Sequence, residues 1–153
     1  MKAVILDFNR TLFDPDTNQL FPESFSLLQE LKNKNFDLAL ISIGAENREE
    51  QIKPISSFFK IIKIVKEKNA KDFLEIVQEL KSSPQEFLVI GDRVRGEIKI
   101  GNSLGMKTIW IRWGKFSSEL PLLGEEPDLT LNNLSELITF LKEKELNQII
   151  GGN

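Results

Sequence analysis

The chain has 153 residues, of which 41% are hydrophobic and 28% charged, and its formal net charge at pH 7 is -3. It contains no cysteine and no histidine, which excludes disulfides, thiol nucleophiles, thiolate zinc sites and every mechanism that needs an imidazole. Any catalysis must therefore rest on Asp, Glu, Lys, Ser and Thr with a hard cation held by oxygen ligands, a chemistry suited to magnesium and phosphate.

The length and the interspersed charges predict a single globular domain. We expect this domain to span residues 1–146 and residues 147–153 to form a disordered tail. Basic residues are not concentrated in one stretch, so nucleic-acid binding is not expected. No apolar run is long enough to cross a membrane and no signal peptide is recognisable, which predicts a cytoplasmic protein.

Short apolar runs alternate along the chain with segments of helical periodicity. Strands are predicted over residues 2–8, 37–43, 61–65, 86–90 and 107–112, with a brief sixth strand starting at Leu129. Helices are predicted over residues 22–35, 46–52, 70–80 and 135–145, and another helix is predicted to follow Asp92 and end at Leu104. This alternation predicts an α/β fold, a doubly wound, three-layer (Rossmann-like) and mostly parallel sheet.

Polar side chains stand where three of the predicted strands end. Asp7 ends the first strand, Ser42 ends the second, and Asp92 ends the fourth, with Glu97 about one helical turn further on. Each is a common residue at a strand exit or helix cap when taken alone. Because parallel strands present their carboxyl ends at one edge of the sheet, together they indicate a ligand site there.

Such a set suits phosphoryl transfer. A carboxylate can accept a phosphoryl group as an acyl phosphate, which divides one difficult step into two easier ones. Phosphate and carboxylate repel each other, so a divalent cation and a positively charged side chain are needed to offset their charges.

Four motifs resemble those of the haloacid dehalogenase superfamily of phosphohydrolases, in the family's order and over nearly the whole chain. Residues 7–14, Asp-Phe-Asn-Arg-Thr-Leu-Phe-Asp, are similar to the family's Asp-x-Asp-x-Thr signature. The second motif is the hydroxyl of Ser42 after an apolar strand, and the third is a lysine ahead of an amphipathic helix. The fourth is Gly91-Asp92 followed by Glu97, where the family more often has Asp.

The resemblance implies a magnesium-dependent phosphatase whose nucleophile is Asp7. It implies that Thr11 and Ser42 bind the phosphoryl oxygens. The implied ligands of Mg²⁺ are Asp7, the backbone carbonyl of Asn9, Asp92 and Glu97, the last of which can reach the metal through a bound water. The lysine, which would also bind phosphate, is Lys66, Lys68 or Lys71, and the spacing to Phe73 favours Lys68.

The main departure from the family pattern is Asn9, which stands where the family has the second Asp of its first motif. That Asp acts as general acid and base, and a carboxamide cannot exchange a proton near neutral pH. Loss of a general acid–base typically lowers the rate by a factor on the order of 10² to 10⁴. We therefore expect a metal and phosphate site with weak turnover of phosphate monoesters.

Three interpretations of Asn9 stay open. The protein is a slow phosphatase that favours good leaving groups such as acyl phosphates, a catalytically impaired phosphate-binding or regulatory module, or an enzyme that recruits another acid. Candidates for that acid are Asp14, Asp16 and Glu46. Because some superfamily members without the second Asp are dehalogenases, other displacement chemistry stays open as well.

No cap domain is expected, because residues 14–22 and the interval from Ser42 to Lys68 are too short to contain one. The site should then be open, and the phosphorylated substrate either macromolecular or bound at an oligomer interface. Two apolar groups are assigned to core edges rather than to an interface: Ile55, Phe58 and Phe59, and Trp110, Trp113 and Phe116. Three arginines are candidates to attract an anionic substrate or to be solvated: Arg93, Arg95 and Arg112.

Overall fold

A computed structural model of the protein describes residues 1–144, in which six strands form one parallel sheet in the order β5-β4-β1-β6-β7-β8. The six strands are β1 (Ala3–Asp7), β4 (Asp37–Ile43), β5 (Ile61–Val65), β6 (Phe87–Gly91), β7 (Lys107–Ile111) and β8 (Leu129–Leu131). Two short strands, β2 (Phe13–Asp14) and β3 (Gln19–Leu20), pair separately as an antiparallel hairpin. The α-helices are α1 (Ser24–Asn33), α2 (Arg48–Ile52), α3 (Ala70–Glu79), α4 (Lys99–Ser103) and α5 (Leu134–Glu143).

Alternate side chains of each central strand point to opposite faces of the sheet. Helices cover both of these faces. On one face Val4 and Leu6 of β1 share a buried cluster with leucines of α1 and α5. On the other face Ala3 and Ile5 pack with Phe73 of α3. The predicted doubly wound, three-layer α/β fold is thus confirmed.

The strand predictions differ from the structure by at most two residues at an end, whereas two helices and the hairpin were predicted less well. The predicted helix ending at Leu104 is interrupted at Gly96, whose φ of -109° and ψ of -113° are non-helical. A single wide turn, Val94–Ile98, therefore precedes α4. Helix α1 begins at Ser24, so Pro22 lies before the helix rather than in its first turn. The β2–β3 hairpin was not predicted, since strands of two residues carry no periodicity.

Several predictions concern the C-terminal residues. The last residue of the helix predicted over residues 135–145, the domain boundary at 146 and the disordered tail over residues 147–153 lie outside the described residues. No helix among residues 1–144 is long and apolar enough to cross a membrane.

The intervals that were too short for a cap hold small elements only. Residues 14–22 contain the β2–β3 hairpin, and the segment from Ser42 to Lys68 contains α2, a 3-10 turn and β5. In that turn Ile55 is buried, while Phe58 and Phe59 pack against the core from the edge. Within residues 1–144, neither interval holds a further domain, which agrees with the predicted absence of a cap.

The sheet order brings the predicted site residues together. Strand β1 lies between β4 and β6, with Asp7 opposite Ile41 and Leu6 opposite Ile90. The carboxyl ends of these three strands are therefore adjacent, and the residues that follow them meet at one edge of the sheet.

Candidate active site

Asp7 is buried at the carboxyl end of β1, and its carboxylate is held from two sides. The hydroxyl of Thr11 donates a 2.9 Å hydrogen bond to Oδ2, and the ammonium of Lys68 contacts Oδ1. The loop after β1 turns tightly, with the amides of Leu12 and Phe13 both bonded to the carbonyl of Phe8. These contacts leave the Asp7 carboxylate in one orientation.

Lys68 is one of three lysines that the sequence offered for the site, and its ammonium is the one that reaches Asp7. Its Nζ also lies 3.3 Å from Oε2 of Glu97. Burial alone would lower the pKa of Lys68, but the charges of Asp7 and Glu97 outweigh it and raise that pKa. Lys68 is therefore a fixed positive charge. Lys66 is exposed, and Lys71 points to Glu75 at 4.0 Å on the surface of α3.

Asp92 and Glu97 follow β6 and form a cluster of three buried carboxylates with Asp7. One oxygen atom from each of the three lies within 4.8 Å of the other two. Burial first, and then the charges of Asp7 and Glu97, raise the pKa of Asp92 to about 9. Burial likewise raises the pKa of Glu97, against the opposing effect of Lys68. Three acids thus share one lysine in a desolvated place, where ionisation of all three is unfavourable without a further cation.

This cluster fits a divalent cation. Oδ2 of Asp92 is buried and has no hydrogen-bond partner among the described residues, whereas buried polar atoms are normally satisfied. The loop's backbone hydrogen bonds go to the carbonyls of Phe8 and Phe13, which leaves the carbonyl of Asn9 without a donor in residues 1–144. Carboxylate and carbonyl oxygens are the ligands that Mg²⁺ prefers.

Gly91 makes room for Glu97. A Cβ at Gly91 would lie 2.1 Å from Oε1 and 2.3 Å from Cγ of Glu97. Oε1 is in turn held by the amide of Arg93 at 3.2 Å. The glycine of the Gly91-Asp92 pair is therefore required sterically by the glutamate that follows it.

Replacing Gly91 by alanine is expected to displace Glu97, lower stability by about 1–3 kcal/mol as overpacking typically does, and weaken binding of Mg²⁺. Urea unfolding without metal and calorimetric titration with MgCl₂ measure the two effects. Gly44→Ala is the matched control, because its nearest neighbour lies 3.4 Å from the added Cβ. Equal behaviour of the two variants would contradict the steric account.

The two hydroxyls predicted to bind phosphate, those of Thr11 and Ser42, donate hydrogen bonds to oxygen atoms of the protein. Thr11 is fully buried and donates to Asp7, as described above. Ser42 is also buried, next to Asp7 across the sheet, and its Oγ donates to the carbonyl of Ile43 at 3.1 Å. Thr11 thus orients Asp7 in this structure, and the hydroxyl of Ser42 is bonded to the backbone.

The surroundings of Asn9 contain no substitute acid from the predicted set. Asn9 itself is half-buried and lines the pocket in front of Asp7. Asp14 accepts hydrogen bonds from the amide of Asp16 and the hydroxyl of Thr17. Neither Asp14, Asp16 nor Glu46 lines that pocket within the described part of the chain.

Arg48 is a site residue that the sequence reasoning missed. Its guanidinium lies 5.1 Å from the centroid of the Phe8 ring, and Nε donates to the carbonyl of Ile43 at 3.2 Å. Burial lowers the pKa of Arg48, and the charge of Asp7 opposes that effect. The available signal was a cation six residues after Ser42, on the loop that leaves β4. Arg48 places a second positive charge near Asp7.

The pocket in front of Asp7 has a volume of about 510 Å³. Its lining includes the three carboxylates, Lys68, Arg48 and a group of residues further out: Arg10, Glu67, Arg93, Arg95, Lys115 and Phe116. Arg112, which the sequence offered beside Arg93 and Arg95, lies instead over Trp110 at 5.5 Å and donates to the carbonyl of Ser117. Trp113 donates through Nε1 to the carbonyl of Arg10 at 2.6 Å.

Comparisons with known proteins agree with this fold. A HAD-hydrolase-like family model matches residues 68–137. The glyceraldehyde 3-phosphate phosphatase of Methanopyrus kandleri is 29% identical over 132 residues, which are 80% of this chain and 57% of that protein. The phosphoglycolate phosphatase of Aquifex aeolicus is 29% identical over 131 residues, 79% of this chain and 58% of that protein. The chain thus spans little more than half the length of these relatives.

A solved structure extends the likeness to the whole fold. The HAD phosphatase from Thermococcus onnurineus has a TM-score of 0.73 at 16% identity, with 100% of this chain and 99% of that chain covered. The parallel sheet with acids at the ends of β1 and β6 is an α/β domain of the HAD-like fold. The family model, the relatives and this fold together support membership of the haloacid dehalogenase superfamily.

The raised pKa of Asp92 predicts how stability changes with pH. Between about pH 4 and pH 9 the folded state holds more protons at Asp92 than the unfolded state, so this site's contribution to the free energy of unfolding falls as the pH rises. Without metal, Asp92→Asn is expected to remove that fall. Urea unfolding of both proteins at several pH values measures the difference, and parallel curves would contradict the expectation. Bound Mg²⁺, which requires the carboxylate, should also remove the fall.

Proposed function

We propose that this protein is a magnesium-dependent phosphohydrolase in which Asp7 accepts the phosphoryl group. The observation that carries the proposal is the buried cluster of Asp7, Asp92 and Glu97 around Lys68, in which one oxygen of Asp92 has no partner. Structural ion pairs normally balance charge and satisfy every buried oxygen. A cluster with surplus acids fits a cation and an anionic ligand better than a stabilising role.

Asp7, Asp92, Glu97 and the carbonyl of Asn9 are the groups that would hold Mg²⁺. When bound, the metal supplies positive charge that offsets the repulsion between the phosphate and the Asp7 carboxylate. Lys68 adds to this from the protein side, because its ammonium contacts Asp7 and remains charged. Thr11 fixes the rotation of the Asp7 side chain, so that the nucleophile is already oriented.

The reaction follows from these placements. A carboxylate oxygen of Asp7 attacks phosphorus, the bond from phosphorus to the ester oxygen breaks, and that oxygen leaves with the electron pair. The leaving oxygen needs a proton unless it is a weak base. In the second step water attacks the phosphorus of the acyl phosphate, releases inorganic phosphate and restores Asp7, while the proton of water requires an acceptor.

Asn9 lines the pocket in front of Asp7, but its carboxamide can neither donate the proton of the first step nor accept the proton of the second. We therefore propose that turnover of alkyl phosphates is slow and that substrates with good leaving groups react faster. Asn9 is also the observation that favours a second candidate, a phosphate-binding or regulatory module without turnover. Binding of phosphate with Mg²⁺ but no release of phosphate from any ester or acyl phosphate would identify that module.

We propose a phosphorylated small molecule as the substrate. The relatives from Methanopyrus kandleri and Aquifex aeolicus are phosphatases of such compounds by their names, and the pocket volume lies within the range of roughly 300–1,000 Å³ typical of small-molecule sites. A single domain over residues 1–146, the absence of a cap and a cytoplasmic location remain predictions. A macromolecular substrate or an oligomer interface was also expected from the open site, and neither has support in the relatives.

The test is release of phosphate from acetyl phosphate with MgCl₂, compared between the wild type and Asp7→Asn. The variant is expected to lose at least a hundredfold in rate, since the group that forms the covalent bond is gone. Chelation of the metal should have a similar effect on the wild type. Lys142→Gln, on the exposed face of α5, is the control. Equal rates in the wild type and Asp7→Asn would refute the proposal.

A further inference from the structure

The pocket has two electrostatic zones. The inner zone contains the carboxylates Asp7, Asp92 and Glu97 with the cations Lys68 and Arg48. Lys68 contacts Asp7 and Glu97, and Arg48 lines the same pocket. The second zone, here called the outer rim, consists of Arg93, Arg95, Lys115 and Phe116. A phosphoryl group at Asp7 uses the inner zone, which leaves the charges of the outer rim without an assigned partner.

The cations of the outer rim have no ion-pair partner among residues 1–144. Within residues 1–144, Arg93, Arg95 and Lys115 form no salt bridge, whereas Arg10 at the same pocket lies 3.9 Å from Asp16. All three outer-rim cations are exposed, and Glu67 is the acid that lines the pocket outside the inner zone. A chain with a net charge of -3 thus presents three unpaired cations at the mouth of one pocket.

The outer rim is also built on fixed supports. The Arg93 guanidinium lies 4.6 Å from the centroid of the Phe116 ring, and Nζ of Lys115 lies 5.4 Å from it. The carboxylate of Glu119 accepts hydrogen bonds from the amides of Val94 and Arg95, at 3.1 and 3.3 Å. Glu119 is therefore occupied with the backbone, and it ties the loop that carries Phe116 to the loop that carries Arg93.

We propose that the substrate carries a second anionic group, a carboxylate or another phosphate, and that the outer rim binds it while Asp7 attacks the first phosphate. This inference rests on the proposed function, because it takes the inner zone as the phosphoryl site. Cations without partners at a pocket mouth attract anions, and guanidinium groups pair with carboxylate and phosphate alike. The enclosed inner zone favours a small molecule over a phosphorylated protein.

The experiment compares three ligands of equal chain length: 3-hydroxypropyl phosphate, 3-(phosphonooxy)propanoate and propane-1,3-diyl bisphosphate. Their affinities for Asp7→Asn with MgCl₂ are measured by calorimetry, and kcat/KM is measured on the wild type. At low salt, the two ligands with an anionic tail (the carboxylate and the bisphosphate) are expected to bind roughly tenfold more tightly than the ligand with the neutral hydroxyl tail. Each exposed charge pair raises the affinity by a factor of up to about five. High salt should reduce that ratio.

Adding Arg95→Gln and Lys115→Gln, which leaves Arg93 as the remaining cation of the outer rim, should lower the ratio of anionic-tail to neutral-tail affinity severalfold, while Lys142→Gln should leave it at the parent value. A ratio near one in the parent protein, or a ratio that the two substitutions leave unchanged, would overturn the inference. Equally tight binding of a phosphoserine peptide that has no other charged side chain would also overturn it. The affinities are measured without turnover, so they test the outer rim independently of catalysis. Failure of the proposed function would instead appear as rates of phosphate release that do not depend on Asp7.

Discussion

Replacing Asn9 by aspartate is expected to raise magnesium-dependent hydrolysis of an alkyl phosphate about a hundredfold or more, the range that a general acid–base typically contributes. Asn9 lines the pocket in front of Asp7, two residues further along the same loop. A carboxyl group there can donate a proton to the leaving oxygen and later accept one from water. The measurement is kcat/KM for release of inorganic phosphate with MgCl₂, with Asp7→Asn as the blank.

The dependence on the leaving group makes this prediction specific. An acyl phosphate leaves as a weak base and needs little protonation, so Asn9→Asp should gain much less with acetyl phosphate than with an alkyl phosphate. A similar gain with both substrates would indicate a different cause, such as altered metal binding. If the wild type already hydrolyses alkyl phosphates well and Asn9→Asp adds little, another group supplies the proton and the proposed slow turnover is wrong.

Lys68→Met is expected to lower the free energy of unfolding by about 3–5 kcal/mol in the absence of metal, the usual effect of removing one partner from a buried ion pair. The ammonium of Lys68 contacts Asp7 and lies 3.3 Å from Glu97. Its removal leaves the three buried acids without the ammonium that contacts Asp7 and Glu97. Urea unfolding with EDTA measures the loss, and saturating MgCl₂ should restore part of it, because the metal stabilises the state that binds it.

Two further variants test the same cause. Lys71→Met changes a lysine whose side chain is 82% exposed and should alter stability by less than about 0.5 kcal/mol. Combining Lys68→Met with Asp7→Asn removes both partners of the contact and should cost less than the sum of the two single changes. A loss below about 1 kcal/mol for Lys68→Met alone would show that the carboxylates do not depend on its charge.

Asp92 is expected to affect stability and ligand binding in opposite directions. Burial and the neighbouring acids raise the pKa of Asp92, so the ionised carboxylate is unfavourable in the protein without metal. Asp92→Asn is expected to keep or raise stability without metal while it weakens binding of Mg²⁺. Observation of both effects would identify Asp92 as a binding residue rather than a stabilising one.

Local patterns in the sequence determined most of the fold. Runs of apolar residues such as 38–41 and 87–90 identified strands that are buried on both faces, because only a covered parallel strand is apolar without alternation. The strand predicted over residues 61–65 agrees with β5. The interruption at Gly96 was not predictable, since it depends on how Val94–Ile98 meets the neighbouring loop rather than on periodicity.

Residue type and spacing along the chain were enough to predict the doubly wound sheet and the acids at its strand ends, and to indicate the resemblance to the haloacid dehalogenase superfamily. Tertiary structure decided what depends on distant residues coming together. It placed Lys68 against Asp7, 61 positions away in sequence, and Arg48 in the same pocket. It also placed Lys115 and Phe116 at the pocket of Asp7. Charge, burial and unpaired oxygen atoms are properties of neighbours in space, and the fold alone defines those neighbours.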